Sequence, residues 1–382
     1  DSVAGDDLYL SIDADLQKAT YLALQNEIAA IVYSNIKSGE IPINDVYTAL
    51  IGNSVINTEH FSKAKASDTE KNVLSVFKSR QKTTLGKIKQ ELTSSPEALN
   101  TMSDEVLDEF NYIISMLKDD QVLLKNEIDT SDSVYQKWKN QKISPKEYLS
   151  YCITQHWIDI SQLNVDEKYA DSTEVYDALC KYILKNIKTD TEFSKIIYQY
   201  MITRGEISPR QLCLILFDQG VLDYDDATVN KLKNGSLSPR DFLMKKIYNI
   251  EITPAQLALE PCIGSCVVTD EKTGEIRAMV SYPGYDSNKL ANGVDSEYFA
   301  SLQHDKSSPL LNYATQQKTA PGSTFKLVSA TAGLAENVIT TSDQFRCTGI
   351  YNDISNKPKC WIYPGSHGLD NVFEAIRDSC NV

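Results

Sequence analysis

Four short junctions limit what the middle of this chain can become: Ile143-Ser144-Pro145, Ile207-Ser208-Pro209, Leu237-Ser238-Pro239 and Ile252-Thr253-Pro254. In each, the Ser or Thr hydroxyl can accept from free N–H groups of a helix's first turn. Proline takes the first helical position, where its missing N–H costs nothing, and the apolar residue before them can staple the turn. Each junction is therefore a helix start. The polar, Lys/Glu/Asp-rich interval from roughly residue 34 to 252 reads as a compact helical subdomain, a docking or spacing module. Ser38-Gly39-Glu40-Ile41-Pro42 is a weaker copy of the junction. The spacing between copies is irregular, which argues against a solenoid of fixed period. His60, His156, Trp138 and Trp157 lie in this interval, and packing or surface roles suit residues so scattered.

On either side the pattern changes. Leu8-Tyr9-Leu10-Ser11-Ile12 alternates like a strand, and Asp13 then opens a helical pattern through Tyr21, Leu22, Leu24 and Ile28. The next strand signal arrives only near Gly264. There two β-rich runs, residues 264–270 and 275–281, flank the turn Glu271-Lys272-Thr273-Gly274 and predict a hairpin. The 382 residues hold one large or two ordinary domains, and 42% apolar content suffices for real cores. A formal charge of −14, from 38 basic and 52 acidic residues, argues against nucleic acid as a partner, because phosphate binding needs a basic face. No apolar run approaches the roughly 20 residues that span a bilayer, and the first residues are no signal peptide, so the chain is soluble or its anchor lies elsewhere. The eight cysteines have no framework spacing across the chain and leave the redox compartment open.

Chemistry concentrates in Ala320-Pro321-Gly322-Ser323-Thr324-Phe325-Lys326, at the start of an apolar helix. Ser323 and Lys326, three residues apart, share a helix face. A serine hydroxyl becomes a nucleophile when a neighbouring base takes its proton, and a lysine serves when it loses its own proton easily, which burial favours. Pro321 and Gly322 allow a tight turn that leaves Ser323 at the helix N-terminus, where backbone N–H groups favour a developing oxyanion. S-x-x-K alone recurs by chance in many helices. Here it is followed by Ser379-Cys380-Asn381, an S-x-N after a helix-like segment at residues 370–378.

Together, P-G-S-T-F-K and S-x-N resemble the catalytic domain of the penicillin-binding proteins, the serine D,D-transpeptidases of peptidoglycan. L-S-I-D-x-x-L-Q at residues 10–17 resembles the start of the class B transpeptidase domain, and T-G-E-I-R-A-M-V-S-Y-P at 273–283 resembles its first strand pair. In that family the first helix leads within a few residues to the next strand, so the interval between is an insertion. The resemblance implies an α/β (α+β) transpeptidase fold, an antiparallel sheet flanked by helices with its last strands wanting. Three segments follow: 1–33 as the start of the domain, 34–252 as the helical insertion, and 253–382 as its continuation, ending before the third motif. That motif is K-T-G. Lys272-Thr273-Gly274 spells it but sits in the hairpin turn, ahead of S-x-N, and is given no catalytic role.

The mechanism implied is acyl transfer. Ser323 attacks the penultimate D-alanine carbonyl of a stem peptide, Lys326 accepts its proton, Ser379 passes a proton to the leaving amine, and Asn381 holds the acyl chain or Lys326. One oxyanion donor is the Ser323 N–H; the other belongs to the K-T-G strand, which implies feeble activity for the chain alone. β-Lactams are expected ligands, a membrane glycan polymerase the expected partner, and the outer face of the cytoplasmic membrane the location. Similarity to the penicillin-binding protein 2 group favours side-wall elongation. The alternatives are a β-lactamase or β-lactam sensor, and a non-catalytic scaffold.

Cys347, Cys360, His367 and Cys380 form a second constellation. Three thiolates and an imidazole make a sound tetrahedral zinc site, while a Cys347–Cys360 disulfide with Cys380 merely buried is an equal reading of the spacing. The resemblance implies a structural zinc, since penicillin-binding protein 2 relatives carry one on two aspartates, a histidine and a cysteine. His367 and Cys380 fall on the last two, with cysteines replacing the aspartates. No organic cofactor is implied.

Overall fold

The computed structural model of the chain describes residues 5, 8–94, 97–165, 170–291 and 293–382. It is a mixed α/β structure of two compact units, Asp1–Thr315 and Gln316–Val382.

In the first unit the opening helix, Ala14–Ser38, begins where Asp13 accepts from the Leu16 N–H at 2.9 Å. It continues through residue 33, beyond the expected start of the inserted region. Gln17 explains why an amide is useful one turn into this helix. Its Nε2 donates to the Met279 carbonyl at 2.6 Å and its Oε1 accepts from the Met279 N–H at 2.7 Å, so the side chain stands in for a neighbouring strand. The hairpin forms as expected. Strands β1 (Gly264–Thr269) and β2 (Ile276–Tyr282) pair antiparallel with a bulge at Val268/Thr269. Alternation along β2 buries Ala278, Val280 and Tyr282 on one face. At the turn, the Asp270 carboxylate accepts from the amides of Lys272 and Thr273, and Gly274 takes a φ of +76°. Lys272-Thr273-Gly274 is thus spent on turning the chain. The helix lies close on the hairpin: a Cβ at Gly264 would come within 3.1 Å of Ile28 and 3.2 Å of Leu24.

The strand expected at residues 8–12 does not form. Only its end touches β2, through Ser11 Oγ to the Ile276 carbonyl and the Asp13 N–H to the Arg277 carbonyl. Leu8, Tyr9 and Leu10 stay 84, 91 and 70% exposed, so alternation there had no face to bury.

The interval that follows is helical, with one continuous core. All four junctions cap helices as anticipated: Ser144, Ser208, Ser238 and Thr253 each accept from the third amide of the next helix, with Pro at its start. The spacing is more regular than the sequence reading held. Gly205, Gly220, Gly235 and Ile250, fifteen residues apart, all have left-handed backbone. Two residues after each, an apolar residue turns inward while its N–H reaches back six residues: Ile207 to Met201, Leu222 to Leu216, Leu237 to Lys231 and Ile252 to Lys246. The Leu222 copy escaped notice because Asp223 and Tyr224 replace the Ser-Pro pair. Gly39 with Ser54, and Gln141 with His156, repeat the interval of fifteen.

In the second unit β3 (Phe345–Cys347) pairs antiparallel with β4 (Gly368–Asp370). A 3-10 turn, Gly322–Thr324, leads into the helix Phe325–Ala335, and a short helix, Val372–Arg377, is closed at its start by a reciprocal Asn371–Glu374 cap.

Candidate active site and metal-ligand cluster

Positioning begins with Gly322, whose φ of +59° lets the chain enter the 3-10 turn that presents Ser323. Ser323 lies two residues before the α-helix proper, on the exposed side of the turn, and Lys326 is half-buried one turn on. The short helix at residues 372–377 delivers the other two groups. It ends at Asp378, and Ser379 then adopts a φ of +50°, which an L-residue occupies at a cost of roughly 1 kcal/mol. That turn swings the Ser379 hydroxyl and the Asn381 amide toward Lys326.

The four expected residues meet. Ser379 Oγ donates to Ser323 Oγ at 3.0 Å. Lys326 Nζ donates to Ser379 Oγ at 3.0 Å, to the Ser379 carbonyl at 2.7 Å and to Asn381 Oδ1 at 2.8 Å. The sequence reading had the lysine beside the nucleophile; here Ser379 stands between them and links both. Deep burial of the pair is not seen. Ser323 is exposed, and the helix that follows it buries no residue, with Phe325, Leu327 and Val328 more than half exposed.

Beside this chain of contacts lie the four sulfur and imidazole groups. One ligand atom from each of Cys347, Cys360, His367 and Cys380 falls within 4.8 Å of every other. His367 Nδ1 is 3.7 Å from Cys347 Sγ and 3.6 Å from Cys360 Sγ, and Cys360 Sγ is 4.0 Å from Cys380 Sγ. A tetrahedron with metal–sulfur bonds of about 2.3 Å and a metal–nitrogen bond of about 2.0 Å has edges of roughly 3.5–3.8 Å. The donor set and its spacing thus fit a metal. The three thiols are buried and all eight cysteines are free, so the Cys347–Cys360 disulfide is not formed.

Burial raises the Cys347 thiol, but the backbone amides of His367 and Gly349 outweigh it and hold the group down at about 7. Burial pushes Cys380 up to about 12, the Cys347 and Cys360 sulfurs adding to the effect. Cluster and active site share backbone, since Cys380 sits between Ser379 and Asn381, and the Asn381 N–H donates to Cys360 Sγ at 3.5 Å. Two further positioning groups were missed by the sequence reading. Trp361 Nε1 donates to the Asp378 carbonyl at 2.9 Å, tying the loop to the turn at Ser379. Gly349, φ +81°, approaches Gly365 so closely that a Cβ would sit 2.2 Å from its carbonyl oxygen. Gly349 was legible only as a loop glycine.

A family model described as the penicillin binding protein transpeptidase domain matches residues 264–382. Residues 264–382 are thus similar to that family of transpeptidase domains. Within it the chain is similar to class B members of the penicillin-binding protein 2 kind. It is 35% identical over 126 residues to the peptidoglycan D,D-transpeptidase MrdA of Escherichia coli K12, covering 30% of this chain and 18% of that protein. It is 44% identical over 77 residues to the peptidoglycan D,D-transpeptidase PbpA of Mycolicibacterium smegmatis, covering 19 and 16%. Among solved structures, penicillin-binding protein 2 of Helicobacter pylori aligns at 28% identity and a TM-score of 0.30, over 33% of this chain and 24% of that one. The chain thus spans less than a fifth of the length of these curated relatives.

Proposed function

We propose that this protein cross-links peptidoglycan stem peptides as a serine D,D-transpeptidase, through an acyl-enzyme on Ser323, and that β-lactams acylate the same serine. The observation that carries this is the continuous contact Ser323 Oγ–Ser379 Oγ–Lys326 Nζ–Asn381 Oδ1. As Ser323 attacks the D-alanyl carbonyl, its proton passes to Ser379 Oγ while the Ser379 proton moves to the amine form of Lys326, whose two N–H bonds stay on the Ser379 carbonyl and Asn381 Oδ1. Collapse of the tetrahedral adduct breaks the C–N bond, and the proton held by Lys326 passes through Ser379 Oγ to the departing amine, leaving Ser323 Oγ as the ester oxygen. Asn381 fixes the lysine along this path. The Ser323 N–H, at the first turn of the helix, supplies one oxyanion donor. The acceptor amine of a second stem peptide then takes the acyl group.

This activity calls for a location on the outer face of the cytoplasmic membrane and a glycan-polymerising membrane partner that supplies strands. Among the described residues, no helix is long and apolar enough to cross a membrane. A β-lactamase would use the same nucleophile and differ in releasing the acyl group to water.

Zinc is the metal we infer for Cys347, Cys360, His367 and Cys380, because thiolate and imidazole donors in a tetrahedral spacing suit it. Bound there it would supply no chemistry to the reaction; it would fix the loop on which Ser379 and Asn381 lie. The segments of residues 1–33, 34–252 and 253–382 remain the domain organisation we propose, the helical interval being an insertion.

Fluorescent penicillin tests the function. Labelling is expected on Ser323, located by peptide mass mapping. It is expected to vanish in Ser323→Ala and to slow about 100-fold or more in Lys326→Ala. Label retained in Ser323→Ala overturns the assignment, and rapid turnover of the adduct favours the β-lactamase reading.

A further inference from the structure

The first unit carries a groove unconnected with acyl transfer. Tyr33 and Lys37, four residues apart on the opening helix, share one of its faces; Arg240, Asp241, Met244, Lys245 and Tyr248 share a face of the helix Pro239–Tyr248. These seven line a space of about 490 Å³. Its walls are aromatic: the rings of Tyr33 and Tyr248 lie 5.1 Å apart and tilted by 59°, and Tyr248 is 59% exposed. Its rim is cationic. Among the described residues Lys37, Arg240 and Lys245 form no ion pair within 4 Å, whereas neighbouring Lys246 is matched with Glu251. Arg240 is aimed by its contact with the Ile36 carbonyl at 3.3 Å. The one acid, Asp241, is taken up by the Ser238 hydroxyl at 2.7 Å and by its place in the helix's first turn.

Three cations without an ion pair within 4 Å, set around two tyrosines, are conspicuous in a chain of net charge −14. Like charges clustered on an acidic protein are mutually repulsive, and an anion relieves them. A tyrosine face offers a flat apolar surface on which the C–H face of a sugar ring can lie, with the hydroxyl at its edge for hydrogen bonding. We propose that this groove binds a saccharide bearing an anionic group, the ring against Tyr33 and Tyr248 and the carboxylate or phosphodiester against Lys37, Arg240 and Lys245. The site would hold the helical interval on an anionic glycan whether or not Ser323 acylates.

Isothermal titration of the whole protein tests it with three probes: muropeptides from muramidase-digested peptidoglycan for the carboxylate source, glucosylated poly(glycerol phosphate) for the phosphodiester source, and chitotetraose as a neutral sugar. At least one anionic probe is expected to bind ten times or more tightly than chitotetraose, and less tightly as salt rises. The double variant Lys37→Glu/Lys245→Glu changes exposed side chains only. It is expected to lose tenfold or more of that affinity, and Tyr248→Ala severalfold, with fluorescent-penicillin labelling unchanged. Equal binding of the neutral probe, absence of binding by both anionic probes, or affinity unaltered in the double variant overturns the proposal. Penicillin labelling reads the acyl-transfer proposal separately, so failure of one leaves the other standing.

Discussion

Ser379 holds a left-handed backbone that glycine would occupy without strain, in a turn closed by its own N–H on the Ile376 carbonyl and the Cys380 N–H on the Ala375 carbonyl, and its hydroxyl bridges Ser323 and Lys326. Ser379→Gly is therefore expected to leave melting temperature equal or slightly higher while penicillin labelling falls about 100-fold. Ser379→Ala should lose labelling as much without the gain in stability. Calorimetry beside labelling kinetics checks both. In the first unit Glu109 is buried at 2% exposure; burial foremost, then the neighbouring Glu105, pushes its carboxyl up to about 8. A carboxyl raised in the folded state favours folding fully below the unfolded pKa, near 4.5. That advantage is lost as pH rises toward 8 and stays lost above it. Glu109→Gln should accordingly raise the melting temperature at pH 7–8, by the equivalent of about 1–3 kcal/mol, and change nothing near pH 4. Glu70 runs the other way. Burial, which would raise it, is outweighed by hydrogen bonds from Gln219, the Ser67 amide and His60, and its pKa is lowered. The stability it contributes is present above its unfolded pKa and disappears in acid.

Among the elements, the fifteen-residue turns show how backbone and side chain divide the work. A Cβ at Gly220 would meet nothing within 4 Å, so Gly220→Ala should cost only the left-handed strain, about 1 kcal/mol. Leu222, two residues on, is 3% exposed, and Leu222→Ala should cost about 2–4 kcal/mol. Chemical denaturation of the pair measures the difference, and equal effects would mean that the repeat is not held by its inward apolar residue. The helix Phe325–Ala335 is the opposite case: its apolar residues were legible as a helix, but not one is fully buried, while Lys326 makes polar contacts with Ser379 and Asn381. Residues 8–12 likewise alternate like a strand, yet Leu8, Tyr9 and Leu10 stay exposed and no strand forms there.

For the whole molecule the metal cluster gives the sharpest test. Zinc is expected at about one equivalent by elemental analysis. Chelation should raise hydrogen exchange around residues 347–381 and slow labelling of Ser323, while exchange in the helical interval stays as it was. Absence of any metal in protein prepared without chelator would end the assignment. The two compact units make such separate responses measurable, since most of the protein's core lies in the first and the thiol cluster in the second.

Local chemistry wrote the parts of this protein that a sequence can carry alone. The helix starts at Ser-Pro and the hairpin turn at Asp270–Gly274 follow from short-range spacing, while Ser323, Lys326, Ser379, Asn381 and the thiol–imidazole set were legible through the resemblance of their motifs to the penicillin-binding proteins. What needed tertiary structure was every relation across long separations: Ser379 interposed between nucleophile and lysine, Gln17 serving β2 as a strand, and cations of two helices gathered on one groove. Such contacts join residues from dozens to hundreds of positions apart. Only packing chooses among their many possible partners, because short-range propensity carries no term for them.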